Sequence, residues 1–143
     1  MIFQMAYVSN VSDGVTLKDC EAIAATSEVN NARDGVTGCL MLCDGWFLQV
    51  LEGSMGAVNR IYMRIAHDER HRYPSILGAE YVPKRSFPVW RMRLVHVRNV
   101  DSQAITEVIR RYTATTAFDP LSLTRAACVA LLSDLTDLEP TIR

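Results

Sequence analysis

Two β-prone segments, VTGCLML at 36–42 and WFLQVL at 46–51, meet across the turn CDG and carry apolar side chains on both faces. Side chains alternate along a strand, so Trp46, Leu48 and Val50 share one face while Phe47, Gln49 and Leu51 share the other. A hairpin of this kind needs cover on both sides, and the rest of the chain has to supply two covering layers. One letter breaks the pattern. The Gln49 amide lies between Phe47 and Leu51, and a buried amide costs about 1–3 kcal/mol if its hydrogen bonds go unmade. A polar partner must face it.

The flanking segments provide the cover. Ile2 to Val8 reads as a first strand. Leu17 to Asn31 fits a helix, with Thr16 as N-cap and Asp19 and Glu21 near its positive end. ARDG at 32–35 then turns the chain. Ser54 caps a second helix whose Met55, Val58, Ile61, Tyr62 and Ile65 recur at helical spacing. YPS at 73–75 breaks the chain, Ile76 to Val82 makes a fourth strand, and Met92 to Val97 a fifth. The order β-α-β-β-α-β-β predicts an α+β, ferredoxin-like fold, a five-stranded mixed or antiparallel sheet with two helices on one face. Two more helical segments, Ser102 to Tyr112 and Thr124 to Leu138, are assigned to the opposite face, with TATTAFDPLSL as the connector between them.

Composition narrows the function. Fifteen basic and sixteen acidic side chains nearly cancel, which argues against a nucleic-acid binder held by phosphate neutralisation. No apolar run approaches the ~18 residues of a membrane span. The N-terminus, MIFQMAYVSN, lacks the basic and apolar regions of a signal peptide, so a cytoplasmic setting with no membrane contact is expected. Cys20, Cys39, Cys43 and Cys128 show neither CxxC pairing nor a nearby histidine, so buried reduced thiols are expected rather than a metal site.

Polar residues recur where a core should be. Cys20, Ile23, Ala24, Ser27, Asn30 and Asn31 fall on one face of the first helix, a stripe that starts apolar and ends in a hydroxyl and two amides. An asparagine near a helix end often only caps it. Two together with Ser27 on a core-facing side need partners. Phe3, Met5 and Tyr7 share a face of the first strand, and Met92 and Leu94 one of the fifth. Each is ordinary core alone. Together, Tyr7, Ser27, Asn30, Asn31, Gln49 and Met92 describe a mostly apolar slot with amides and hydroxyls at one end, suited to a flat heteroaromatic ligand. A nucleophilic enzyme is a poor fit, since the three histidines, His67, His71 and His96, complete no Ser-His-Asp set.

The segments AYVSN at 6–10, SEVNNARDGVTG at 27–38, FLQVLEG at 47–53, DERHR at 68–72 and FPVWRMRLV at 87–95 closely resemble, in that order, the BLUF domain. This is a flavin-binding family of blue-light sensors, and the likeness spans about residues 1–98. The chain also resembles the short, PixD-like members, which divide into a flavin-binding domain, here 1–98, and a C-terminal helical cap, here 99–143, with no attached effector.

The resemblance implies a photoreceptor rather than an enzyme, with flavin bound non-covalently, FAD as the usual occupant and FMN as the alternative. Tyr7 matches the tyrosine that gives an electron and proton to the excited flavin, and Gln49 the glutamine that relays them. Ile23, Ser27, Asn30 and Asn31 match the helix face along the ring. Arg64 and Ile65 match second-helix positions beside it, and Asp68 and His71 positions near its ribityl and phosphate tail. Trp90 and Met92 match the pair whose placement changes with light and carries the signal to the C-terminal helices. Arg91 departs from the pattern, since the family usually has Ser or Ala there. The resemblance also implies a partner in trans, a response-regulator-like protein or a nucleotide-signalling enzyme, and self-assembly as a dimer, pentamer or decamer. A light-indifferent interaction module would purify colourless, and a small flavoenzyme would turn over NAD(P)H; no GxGxxG fingerprint for a nicotinamide site is present.

Overall fold

The computed structural model describes residues 1–89, 92–97, 103–113 and 118–138. In chain order these form β1 (Ile2–Val11), α1 (Leu17–Asp34), β2 (Thr37–Cys43), β3 (Trp46–Gly53), α2 (Met55–Ala66), β4 (His71–Val82), β5 (Arg93–His96), α3 (Gln103–Tyr112) and α4 (Arg125–Thr136). A short 3₁₀ turn at Pro120–Ser122 precedes α4. The strands make one sheet in the order β4-β1-β3-β2-β5. Neighbours run antiparallel except β2 and β5, which are parallel. The sheet is therefore mixed, and the fold is the expected α+β, ferredoxin-like one.

Local chemistry sets most boundaries. Asp44 and Gly45 join β2 to β3 at φ 50° and 78°, the left-handed pair that a two-residue hairpin turn of type I′ requires. Thr16 and Asp19 form a reciprocal capping box at the start of α1, with bonds of 3.1 and 2.9 Å. The helix continues past the expected end at Asn31, through Arg33 and Asp34, until Gly35 closes it at φ 69°. Neither Asn30 nor Asn31 is a cap. Ser54 caps α2 as expected, but Met55 lies in the exposed first turn, and the residues that α2 buries are Ala57, Val58 and Ile61.

Pro74 does not end a segment. β4 begins at His71 and carries the proline within it, which is tolerated because β4 is an edge strand where one N–H per pair goes unused. Tyr73 at φ 52° and the shift of register between Val8 and Asn10 mark a bulge at that point. Met92 immediately precedes β5 rather than opening it. Trp90 and Arg91 lie outside the described residues, as do Ser102 and part of the connector between α3 and α4.

The central hairpin receives its two layers. On one side Phe3, Met5, Tyr7, Leu40, Phe47 and Leu51 pack with Cys20 and Ile23 of α1 and Val58 and Ile61 of α2. On the other, Ala6, Val8, Cys39, Met41, Leu48 and Val50 pack with Phe87 and with the buried faces of α3 and α4. All four cysteines are buried and free, and burial pushes the thiols of Cys39, Cys43 and Cys128 up to about 12. Among the described residues no helix is long and apolar enough to cross a membrane, and no cluster of His, Cys, Asp and Glu is arranged to hold a metal.

Candidate functional site

Antiparallel pairing sets Tyr7 of β1 directly opposite Gln49 of β3. Both side chains point to the α1–α2 side, and both are buried. The Tyr7 hydroxyl donates to Gln49 Oε1, and Gln49 Nε2 donates to Met92 Sδ at 3.0 Å. The polar partner demanded by a buried amide is therefore a phenol on one side and a thioether on the other. β2 makes room for this contact. A Cβ built on Gly38 would lie 2.0 Å from the Val50 carbonyl oxygen, so the close approach of β3 requires glycine there, and Met92 Cε packs over the same spot at 3.4 Å.

Burial pushes the Tyr7 phenol well above the usual tyrosine pKa, with Tyr62 and Asp68 adding to the shift. Tyr62 stands edge-on to it, ring centroids 5.3 Å apart. The phenol is thus neutral at any physiological pH, with its proton directed at one acceptor.

Beside this chain of contacts lies a cavity of about 190 Å³ between α1, α2 and the segment entering β4. Ile23, Ser27, Asn30, Asn31, Arg64, Ile65, Asp68 and His71 all line it. Of the expected cofactor contacts only Gln49 is absent from the wall; with Tyr7 and Met92 it belongs to the buried layer behind. The spacing of the α1 stripe was a sound guide, since Asn31 is 1% exposed although its neighbours Ala32 and Arg33 are exposed.

Three lining residues were missed: Thr26, Ile61 and Arg70. Ile61 was assigned to core only, and Thr26 adjoins Ser27 on α1. Arg70 lies inside the DERHR segment, and its alternation with Asp68 was the available signal. Its guanidinium grips Asp68 at 2.7 and 3.0 Å, and this pairing holds the Asp68 carboxyl below the usual range. Arg64 reaches across from α2 to Asp34 of α1 at 3.3 Å.

His71 lines the cavity and is buried. Its ring lies 4.5 Å from that of Phe47, and its Nδ1 is 2.8 Å from Ser9 Oγ. Burial lowers its pKa to about 4, so the imidazole is neutral. Ser9, which fixes the ring, was not singled out from the sequence.

The fold is thus a mixed ferredoxin-like sheet with helices on both faces, carrying a slot backed by a buried phenol–amide–thioether chain, the architecture of a small sensory domain. The chain belongs to the BLUF family, sensors of blue light using FAD, whose model matches residues 2–93. Over 84 residues it is 32% identical to the photoactivated adenylate cyclase subunit beta of Euglena gracilis, a match covering 59% of this chain and 10% of that protein. Over 98 residues it is 32% identical to the blue light- and temperature-regulated antirepressor BluF of Escherichia coli K12, covering 68% of this chain and 24% of that one. Among solved structures, the photo-activated state of BlsA superposes with a TM-score of 0.84 at 28% identity, over 97% of both chains. A bacterial light-regulated adenylyl cyclase superposes at 0.72 and 32% identity, over 76% of this chain and 32% of that one. The expectation of a blue-light sensor stands with the family, and the chain spans only a tenth to a quarter of the length of these curated relatives.

Proposed function

We propose that this blue-light sensor holds FAD between α1 and α2 and reads its excitation through Tyr7, Gln49 and Met92. The observation that carries the reading is the pair of hydrogen bonds at Gln49, a donor–acceptor amide tied at both ends and buried behind the cavity. The donor set fits the cofactor. Ile23, Ile61 and Ile65 offer apolar walls to a ring, Ser27, Asn30 and Asn31 offer hydroxyl and amides to its polar edge, and Arg64 and Arg70 offer charge to an anionic tail. Asp68 holds Arg70 in place, and His71 closes the inner wall.

Bound flavin supplies absorption of blue light and, once excited, a strong oxidant. The protein supplies the rest. Tyr7 holds its proton in the dark because a phenolate cannot be solvated there. Loss of an electron from the Tyr7 ring to the excited flavin would make the phenol a strong acid with its O–H already aimed at Gln49 Oε1, and electron and proton would both return to Tyr7 on recombination. The amide is then left rotated or tautomerised. Rotation turns Oε1 toward Met92 Sδ, and a thioether has no proton to donate. The Met92 contact is lost, and the segment entering β5 is released. β5 is a four-residue strand at the sheet edge, an element readily displaced. The signal is proposed to pass through the Trp90/Met92 segment to the C-terminal helices.

We assign residues 1–98 to the flavin-binding unit and 99–143 to the cap, and place the protein in the cytoplasm. Relatives named as adenylate cyclase subunits and as an antirepressor support an output in nucleotide signalling or gene control, and we propose that this chain reaches it in trans, through a nucleotide-signalling enzyme or a response-regulator-like protein. The assembly proposed is a homo-oligomer, a dimer, pentamer or decamer. The test is purification in darkness, chromatographic identification of the released flavin, and a light-minus-dark spectrum of wild type and Tyr7→Phe. FAD and a reversible red shift are expected in the wild type; the variant should keep the flavin and lose the shift. A normal shift in Tyr7→Phe contradicts the role given to the phenol.

A further inference from the structure

The α3–α4 side of the sheet is apolar except at one end, and that end holds a carboxylate buried to 0% exposure, Glu52. Its Oε2 accepts from the backbone N–H of Ser86 at 2.7 Å and its Oε1 from that of Phe87, also at 2.7 Å. These two residues belong to the segment 83–89, which leads directly toward Trp90 and Met92. Arg85, in the same segment, donates to Thr37 Oγ1, the Glu52 carbonyl and the Gly35 carbonyl at 2.8–2.9 Å. Phe87 itself is buried in the core that α3 and α4 share.

A third donor to Glu52 is Gln4 Nε2 at 2.8 Å. The opposite end of that amide, Gln4 Oε1, accepts from Arg125, the first residue of α4, whose other guanidinium nitrogen pairs with Glu80 of β4. Gln4 is 1% exposed. A buried carboxylate is costly unless cations balance it; besides Arg85 on the Glu52 carbonyl, the Arg125 charge reaches it through a polarised amide. Gly78 lets the helix sit this close, since a Cβ there would lie 3.0 Å from Arg125 Cβ.

The geometry points to Arg125 as a positioning residue that couples segment 83–89 to the first turn of α4, through a strap running Arg125–Gln4–Glu52–Ser86/Phe87. Displacement of the segment ahead of Met92 draws on the two N–H bonds to Glu52. Glu52 shares Gln4 with Arg125, and Arg125 moves with α4. The strap therefore gives the cap a polar route to the segment, separate from apolar packing. In the dark it is a property of the fold alone; as a route for the light signal it rests on the reading proposed above.

Amide hydrogen exchange on the full chain tests it, first in darkness and then under blue light. In darkness Arg125→Ala should speed exchange at Ser86 and Phe87 about tenfold, the loss expected when a charge-assisted bond is removed from a shared buried acceptor. The β1–β3 ladder should be unchanged. Glu80→Gln, which alters only the exposed partner, should leave Ser86 and Phe87 at the wild-type rate. Arg125→Lys keeps one charge without the two-pronged reach and should give an intermediate acceleration; it carries the test if the alanine variant does not fold. Under illumination Arg125→Ala should keep the red shift and the response of segment 83–89 while α4 ceases to respond. Unchanged dark exchange at Ser86 and Phe87 in both Arg125 variants overturns the strap. An undiminished light response of α4 overturns its part in signalling. A wild type without any red shift counts against the photoreceptor reading and leaves the dark result to judge the strap by itself.

Discussion

The two faces of the sheet bury opposite chemistry. Beneath α3 and α4 the sheet offers Ala6, Val8, Cys39, Met41, Leu48 and Val50, with polar groups gathered at one end around Glu52. Beneath α1 and α2 the same strands place Tyr7 and Gln49 in the middle, with His71 and Asn31 close by. Each strand alternates between the two environments residue by residue, so Leu48 and Gln49 differ in surroundings although adjacent. Beneath α3 and α4 apolar packing fills the middle of the face, and its polar contacts, Arg125 with Gln4 and Glu80, are confined to one end. On the function proposed above, the polar groups in the middle of the other face serve the flavin and the movement of a proton, and their burial carries a cost that packing must offset.

The comparison breaks most visibly on the cap side. Leu131 of α4 is fully buried, and Leu131→Ala should destabilise by about 2–5 kcal/mol, the usual cost of a core cavity. Chemical denaturation measures this, while the visible spectrum of bound flavin should stay unaltered. A collapsed flavin spectrum at full stability would reverse the roles of the two faces.

The polar face should answer to pH through His71. His71 is held neutral, its pKa lowered from 6.5 to about 4 by burial, so the unfolded chain takes up its proton first as the medium acidifies. Stability from this group is complete above pH 6.5 and lost as pH falls toward 4, a decline of about 3 kcal/mol. Denaturation midpoints across that range should show the slope in wild type and a flatter profile in His71→Gln. Equal slopes would mean that the imidazole does not titrate as its burial implies.

Converting the polar face into an apolar one sharpens the contrast. Gln49→Leu strands the Tyr7 hydroxyl and should cost about 1–3 kcal/mol. Adding Tyr7→Phe removes both partners together, so the double variant should be more stable than Gln49→Leu alone, a non-additivity that a double-mutant cycle quantifies. Simple additivity would mean that the two groups are not coupled. The smallest effect belongs to the rim. Arg64 is half exposed where it meets Asp34, and Asp34→Asn should change stability by less than about 1 kcal/mol.

Much of this was legible in the sequence because local chemistry agreed with tertiary need. Thr16, Ser54 and the CDG turn mark boundaries by bonds made within a few residues. The three-and-four spacing along α1 placed Ser27, Asn30 and Asn31 on the cavity because a helix face is fixed by its own geometry. What was not legible depends on neighbours distant in sequence. Pro74 reads as a break until β4 is known to be the sheet edge. Arg33 and Asp34 read as a turn until Gly35 is seen to close the helix. Arg70 is found at the cavity only once α2 and β4 are placed, and the strap from Arg125 to Glu52 joins residues more than seventy positions apart.

The most direct test is a light-minus-dark infrared difference spectrum of the flavin-loaded protein, isotope-labelled at the glutamine side-chain carbonyl. Gln4 and Gln103 are the other glutamines, so Gln49→Leu assigns the band. A labelled carbonyl band that shifts on illumination in wild type and is missing in the variant is expected if the buried amide exchanges partners between Tyr7 and Met92. A red-shifted flavin spectrum with no change at the Gln49 carbonyl would contradict it.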